Sequence, residues 1–365
     1  SYLGSGLLSE KSKIRIRLIT RNANDRFDRA FWKRKAQWAW NYRKTVMGAD
    51  ASACRVLFSE ADGFPGLVVD RFEDVLVAET LSVGMERLKP MIFPALLEVL
   101  AEDGIAIRGL YERNDASTRS LEGLAQTAGW FAGAAEDAAC SLDPINPSQP
   151  EAAVFGPTTT QIMENGVRYE VDFENGQKTG FFLDQKYNRR AVAQLAAGRR
   201  VLDCFTHTGS FALNAAHGGA EYVNAVDISE LAVAQARKNA QLNELDGKMD
   251  FTAANVFDLL PQLEAAHDRT YDFIVLDPPA FTKAHANMAS ACRGYKEIAL
   301  SAMRLLPAGG VLATHSCSYH MPEEVFVNTV LSAAQDLHRQ VRVITLRRQD
   351  IDHPVLAGYP ESHYL

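Results

Sequence analysis

From Gln185 onward the chain alternates short aliphatic runs with amphipathic stretches, and this alternation limits the fold more than any other feature of its 365 residues. Apolar runs at 200–205, 222–227, 249–253, 273–277 and 311–315 read as strands. Helical spacing occupies 188–197, a stretch from Ser210, 229–243, 257–266 and 290–306. Strands separated by helices of about 10–15 residues form βαβ units, hence a parallel, Rossmann-like α/β sheet with helices on both faces. Ligands of such sheets sit at the carboxyl ends of the strands. The polar residues that follow each strand are therefore the candidates for chemistry.

The first half of the chain reads differently. Residues 13–19 alternate strictly, which predicts a strand with Lys13, Arg15 and Arg17 on one face. From Asp25 to about Val46 the spacing becomes helical. Phe27, Phe31, Trp38 and Tyr42 share one stripe, with Arg26, Arg29, Lys33 and Arg34 largely off it, a solvated basic face over an aromatic contact. Residues 53–125 read as a small α+β unit, with strands at 56–58, 66–69, 75–78 and 110–113 and a helix over 85–100. The Ala/Pro/Gly-rich stretch 126–160 reads as a loop or linker, and strands at 161–163 and 167–173 close this middle domain.

A hydrophobic share of 47% with 23% charged residues excludes disorder, coiled coil and collagen. No apolar stretch approaches the roughly 18–20 residues of a membrane span, and no signal-peptide core follows the start. The net charge of −7 hides a split. Residues 1–47 hold 12 Lys and Arg against Glu10, Asp25 and Asp28, and also three of the four tryptophans. The rest holds 26 basic and 42 acidic residues, so a basic module is joined to an acidic body and the acidic average does not exclude RNA. Five widely spaced cysteines without a CxxC pair exclude a disulfide framework and a zinc site, and fit a reduced, cytoplasmic protein with no metal.

The strand ends carry the motifs. The first ends Asp203-Cys-Phe-Thr-His-Thr-Gly209, a single-glycine turn into a helix that lacks the GxGxxG spacing of NAD or FAD sites. Asp227 ends the second strand, placed to accept from both hydroxyls of a ribose. Asn255 follows the third, either at an adenine edge or as a helix cap. The fourth ends Asp277-Pro-Pro-Ala-Phe281, a rigid lip in which each proline fixes φ and removes a donor. Together these resemble the strand-end motifs of class I S-adenosylmethionine-dependent methyltransferases. Cys317, in a polar Ser-Cys-Ser context after the fifth strand, lies beside Asp277, whereas Cys54, Cys140 and Cys204 read as inert core thiols. A thiolate there has a specific use: added to C6 of a pyrimidine, it makes C5 nucleophilic enough to take a methyl group. His207 and His315 read as structural. Arg293 and Lys296 are placed to meet RNA phosphate, helix-surface solvation being the alternative.

Over nearly its whole length the chain resembles the bacterial ribosomal RNA large subunit methyltransferase I family, which forms 5-methylcytosine. The matching segments are Glu60-Ala-Asp-Gly-Phe-Pro-Gly-Leu-Val-Val-Asp-Arg71, Thr179-Gly-Phe-Phe-Leu-Asp-Gln185 and the Asp203–Gly209 and Asp277–Phe281 motifs. Cys292-Arg-Gly-Tyr-Lys296, Ser316-Cys-Ser318, His353-Pro and Tyr359-Pro-Glu361 match as well. The resemblance implies a PUA domain, a central α+β domain and a C-terminal methyltransferase domain. On this reading 1–22 is a PUA-like remnant, 23–48 a basic linker helix, 49–178 the central domain and 179–365 the catalytic domain. The first residue, Ser1, and a final strand expected beyond Leu365 fit a piece of a longer chain. The resemblance makes Cys317 the nucleophile with Asp277. It sets Gln185, Phe205, Gly209, Asp227, Asn255 and Asp277 around S-adenosylmethionine, with Arg15, Arg17, Arg293 and Lys296 toward ribosomal RNA. A homodimer is left open. Two alternatives stand beside cytosine-C5 methylation: methylation of a base nitrogen, which needs no cysteine, and a catalytically idle RNA-binding protein.

Overall fold

The computed structural model describes residues 2–132, 155–281, 288–318, 321–359 and 362. Its contacts divide the chain into two units: Ser1–Glu164 with Glu170–Asp184 and Asp350–Ser362, and Asn165–Tyr169 with Gln185–Gln349 and His363–Leu365.

The first unit begins with an antiparallel hairpin of β1 (Ser5–Leu8) and β2 (Ile16–Thr20). The expected strand over 13–19 thus starts three residues late, leaving Lys13 and Arg15 in the hairpin loop. Of its two faces the one with Ile16 and Leu18 is exposed, while Arg17 turns inward to pair with the buried Glu122 at 2.8 Å. Alternation fixes which residues share a face but not which face is buried. Here a buried carboxylate takes the cation, so the Arg17 charge expected toward RNA is engaged by Glu122.

Helix α1 (Arg29–Met47) is capped by Asp28, whose side chain accepts from Phe31 N. Its buried face is Phe31, Trp32, Ala36, Ala39, Trp40, Arg43 and Met47. The expected aromatic stripe holds only at Phe27 and Phe31, because Trp38 is 60% exposed and Tyr42 lies at the rim. A fully buried Arg43 in mid-face disguises the true stripe. It donates to Arg55 O at 2.7 Å and Asp352 O at 2.8 Å and pairs with Asp62 at 2.6 Å.

The strands β3 (Ala53–Phe58), β4 (Leu67–Phe72), β5 (Val75–Thr80), β6 (Gly109–Asn114) and β7 (Thr127–Trp130) form one sheet in chain order, with the short helix α2 (Ser59–Asp62) between β3 and β4. All neighbours are antiparallel except β5 and β6, which are parallel and joined by α3 (Val83–Glu102). Strand β7 lies inside the stretch expected to be linker. Trp130 secures it, packed edge-on to Tyr111 and stacked on Phe155 at 5.1 Å. Helix α3 contains Pro90 and Pro94, which deprive the carbonyls of Glu86 and Pro90 of helical donors. Its apolar face, with Ile92, Phe93, Leu96, Val99 and Leu100, joins the core of α1 and the sheet. Its acids Glu98 and Glu102 and the capping Asp103 take Arg29, Lys33 and Lys44 of α1, so part of the basic segment's charge is neutralised within the fold. Strands β8 (Thr159–Glu164) and β9 (Val167–Asp172) make a separate two-stranded sheet and do not close the five-stranded one.

The second unit is doubly wound. After α4 (Lys186–Leu195) come β10 (Arg200–Cys204), α5 (Ser210–His217), β11 (Tyr222–Asp227), α6 (Glu230–Leu242), β12 (Met249–Ala253) and α7 (Val256–Ala265). Strand β13 (Phe273–Leu276), α8 (Met288–Leu305), β14 (Val311–Thr314) and α9 (Glu323–Asp336) follow. The strand order is β12-β11-β10-β13-β14 and every pair is parallel, as the alternating pattern predicts. The order reverses at β10, whose carboxyl end is therefore the switch point where ligands bind. Among the described residues no helix is long and apolar enough to cross a membrane.

Candidate active site at the strand ends

The loop after β10 is the most constrained backbone of the second unit. Phe205 and His207 take positive φ of 65° and 51°, and Gly209 takes 84°. Only glycine suits the last position, since an added Cβ would lie 2.9 Å from Ala236 Cβ as well as in a strained region. The loop is fastened from below. Asp203 Oδ2 accepts from Thr206 Oγ1 at 2.6 Å and from Ala212 N at 2.9 Å. Its Oδ1 is buried with no partner among the described residues. Burial, with Asp277 and Asp227 nearby, pushes the Asp203 carboxyl up to about 7 against the pull of its two hydrogen bonds.

Asp227, half-buried at the end of β11, is fixed by two backbone donors: His207 N on Oδ2 and Ser229 N on Oδ1, each at 2.9 Å. Its remaining lone pairs are free to take hydroxyls. Asn255 caps α7, accepting from Phe257 N at 3.1 Å, so the cap function is realised. Phe205 opens a line of rings through Phe257, Phe281 and Tyr295 to Phe326, with centroids 4.6–6.2 Å apart. Gln185 is buried and accepts from Asn188 Nδ2 at 2.6 Å.

The Asp277-Pro-Pro segment and Cys317 meet. Cys317 Sγ, half-buried, donates to Pro278 O at 3.3 Å. The β-ladder holds both strand ends in step, with Asp277 N bonded to Cys204 O and His315 N to Leu276 O. Tyr295 Oη, buried on α8, bonds Ser316 Oγ at 3.0 Å and anchors the cysteine's neighbour. His315 packs on Phe211 at 4.6 Å, and burial with the nearby Arg189 charge lowers it to about 4, which keeps it neutral. Burial likewise lowers His207 and pushes the Cys204 thiol well up, leaving that thiol inert. Cys54 is also buried core, and Cys140 lies outside the described residues. Arg293 is exposed on α8, whereas Lys296 is engaged by Asp336 of α9 at 2.8 Å. Arg15 is exposed in the first unit's hairpin loop. Asp203 and Tyr295 are the site residues to which sequence reasoning gave no role. The signal for Asp203 was an acid among Val201, Leu202 and Cys204, the buried part of the strand.

A parallel sheet with these strand ends defines the class. Residues 108–348 match the sequence model of the S-adenosylmethionine-dependent methyltransferase family. Proteins named ribosomal RNA large subunit methyltransferase I are similar across the whole chain. The one from Aliivibrio fischeri is 37% identical and that from Aeromonas salmonicida 38%, each match covering all of this chain and 86% of the relative. The chain belongs to the ribosomal RNA large subunit methyltransferase I family. A solved structure of a SAM-dependent methyltransferase from Streptococcus mutans shares the fold, with a TM-score of 0.78 at 22% identity over 99% of this chain and 86% of that one. A second with the same figures is a methyltransferase complexed with SAH.

Proposed function

We propose that the chain methylates carbon 5 of a cytosine in large-subunit ribosomal RNA, with Cys317 as nucleophile and Asp277 beside it. The observation that carries this reading is the position of Cys317 Sγ, 3.3 Å from the carbonyl of Pro278 in the Asp277 segment. The names of the relatives support the substrate class.

Bound S-adenosylmethionine supplies an electrophilic methyl group on a sulfonium. The residues at the strand ends suit such a ligand. Gly209 lets the loop after β10 close against Ala236 in the positive-φ form that sets His207 N on Asp227, and Asp227 offers its remaining lone pairs to ribose hydroxyls. Phe205, Asn255 and Gln185 complete the set, Asn255 only so far as its capping role allows.

Carbon 5 of cytosine is a weak nucleophile. The Cys317 thiolate forms a bond to C6, and the displaced ring electrons make C5 able to attack the methyl group. Asp277, on the N3 side of the ring, stabilises the adduct. A base then removes the C5 proton, and the C6–S bond breaks with its electron pair returning to sulfur. The bond from Cys317 to Pro278 O needs the S–H proton, so the nucleophile gives up that bond when it ionises. The base must leave its stack to present C5 and C6. RNA containing 5-fluorocytosine should form a covalent complex with the wild-type chain and none with Cys317→Ala. An active enzyme that traps nothing would point instead to a base nitrogen.

A further inference from the structure

The outer face of α1 carries groups that the reaction does not use. Of the four tryptophans, Trp32, Trp40 and Trp130 are 0%, 2% and 8% exposed, while Trp38 is 60% exposed. A large ring on the polar side of a helix contributes little packing to the fold. One turn earlier the Arg34 guanidinium lies 5.8 Å over the Trp38 ring, with its side chain 46% exposed. Arg34 also reaches Asp25 at 3.3 Å, and Thr20 and Asn22 bond the same carboxylate. The loop carrying exposed Arg21 and Arg26 therefore adjoins this face. Helix α1 holds six cations and no acid. On its other flank α3 engages Arg29, Lys33 and Lys44, whereas Arg21 and Arg26 make no ion pair among the described residues.

We propose that this face of α1 and its preceding loop form a contact for single-stranded RNA, with Trp38 stacked on an unpaired base and Arg21, Arg26 and Arg34 on flanking phosphates. A ring with a guanidinium beside it accepts the face of any base, and Arg21, Arg26 and Arg34 outnumber the local acids Asp25 and Asp28, the second of which is engaged as the cap of α1, so the surplus favours a phosphate backbone over a protein surface. The inference rests on the reading of the substrate as RNA and adds where part of that strand runs.

The structure supplies the reporter, because Trp38 is the one exposed indole of the four. Titrating the full chain with an unstructured oligocytidine should quench tryptophan emission and protect it from acrylamide. Trp38→Ala should bind this RNA about 5- to 150-fold more weakly, and Trp38→Phe should keep most of the affinity. Arg34→Ala should lower the slope of log affinity against log salt by about 0.7. Equal RNA binding by wild type and Trp38→Ala overturns this proposal and leaves the substrate reading standing. No RNA binding by the wild type overturns both. Emission already shielded from acrylamide before RNA is added, with concentration-dependent sedimentation, would mean that a second copy covers the face and overturns the proposal.

Discussion

Asp70 and Asp203 sit in the middle of the two five-stranded sheets and both have no exposed surface, yet their surroundings differ. Asp70 receives Arg55 Nε and Nη2 at 2.8 and 2.9 Å and Thr179 Oγ1 at 2.5 Å, so both of its oxygens are occupied. Nearby, Asp62 holds Arg43, and Asp352 accepts from Arg55 N and bonds His353. Asp203 has one oxygen bonded twice and the other left without a partner among the described residues, beside two more carboxylates at the strand ends. Burial of a charge alone therefore does not mark function. Closed pairing marks a structural charge, and incomplete satisfaction where strands end marks a site that is built for something else.

Four substitutions sharpen or break this contrast. The largest effect belongs to the second unit: Cys317→Ala should lower kcat by about 10³-fold or more, while calorimetry finds S-adenosylmethionine binding unchanged. Full turnover in that variant would remove the nucleophile from the account. Asp70→Ala should act on stability instead. It removes the bidentate partner of the largely buried Arg55 guanidinium, at a cost of about 3–5 kcal/mol that denaturant unfolding would read. A small loss would mean that the closed network is not structural after all.

Asp203→Asn tests the opposite kind of charge. The native carboxyl titrates near 7 and the unfolded one near 3.9, so between those values the native state holds a proton that the unfolded state has released. Wild-type stability then falls as pH rises from about 4 to 7, by up to about 1.4 kcal/mol per pH unit. Asparagine keeps an acceptor for Thr206 and Ala212 and should flatten that slope; unfolding curves across the range check it. An unchanged slope would show that Asp203 is ionised throughout. The smallest effect is expected for Gly209→Ala, at about 1–3 kcal/mol of strain from φ +84° and the contact with Ala236. Its melting temperature and cofactor affinity should fall together.

The second unit was readable because its inner strands β10 and β13 are buried and strongly apolar, and helices of regular length separate all five strands. Gly209, Asp227, Asp277 and Cys317 follow directly from strand ends. The first unit resisted for reasons that local pattern does not carry. A buried Arg43 interrupts the apolar face of α1, and Arg17 turns inward because of Glu122, about a hundred positions away in sequence. The segment Asp350–Ser362 belongs to the first unit through contacts such as Arg55 N to Asp352, which are 297 positions apart. Strand β7 is four residues long in an Ala- and Gly-rich stretch, and its pairing with β6 and the packing of Trp130 are not signalled locally. Lys296 is held by Asp336 of α9, a helix after the last strand that the alternating pattern did not include.

The two prolines of α3 have a consequence for how the chain acquires its shape. Each costs about 3 kcal/mol of intrinsic helix preference, so the 83–102 peptide alone has no reason to be helical. The helix must wait for the apolar side of the sheet, yet β5 and β6 are parallel partners whose only covalent link runs through it. Neither can form early without the other. The β5–β6 pair therefore lacks a local nucleus and should form later than the antiparallel pairs of consecutive strands on either side of it, non-local pairing being the slower course. A nascent chain leaving the ribosome would expose these strands until residue 114 and beyond had been made.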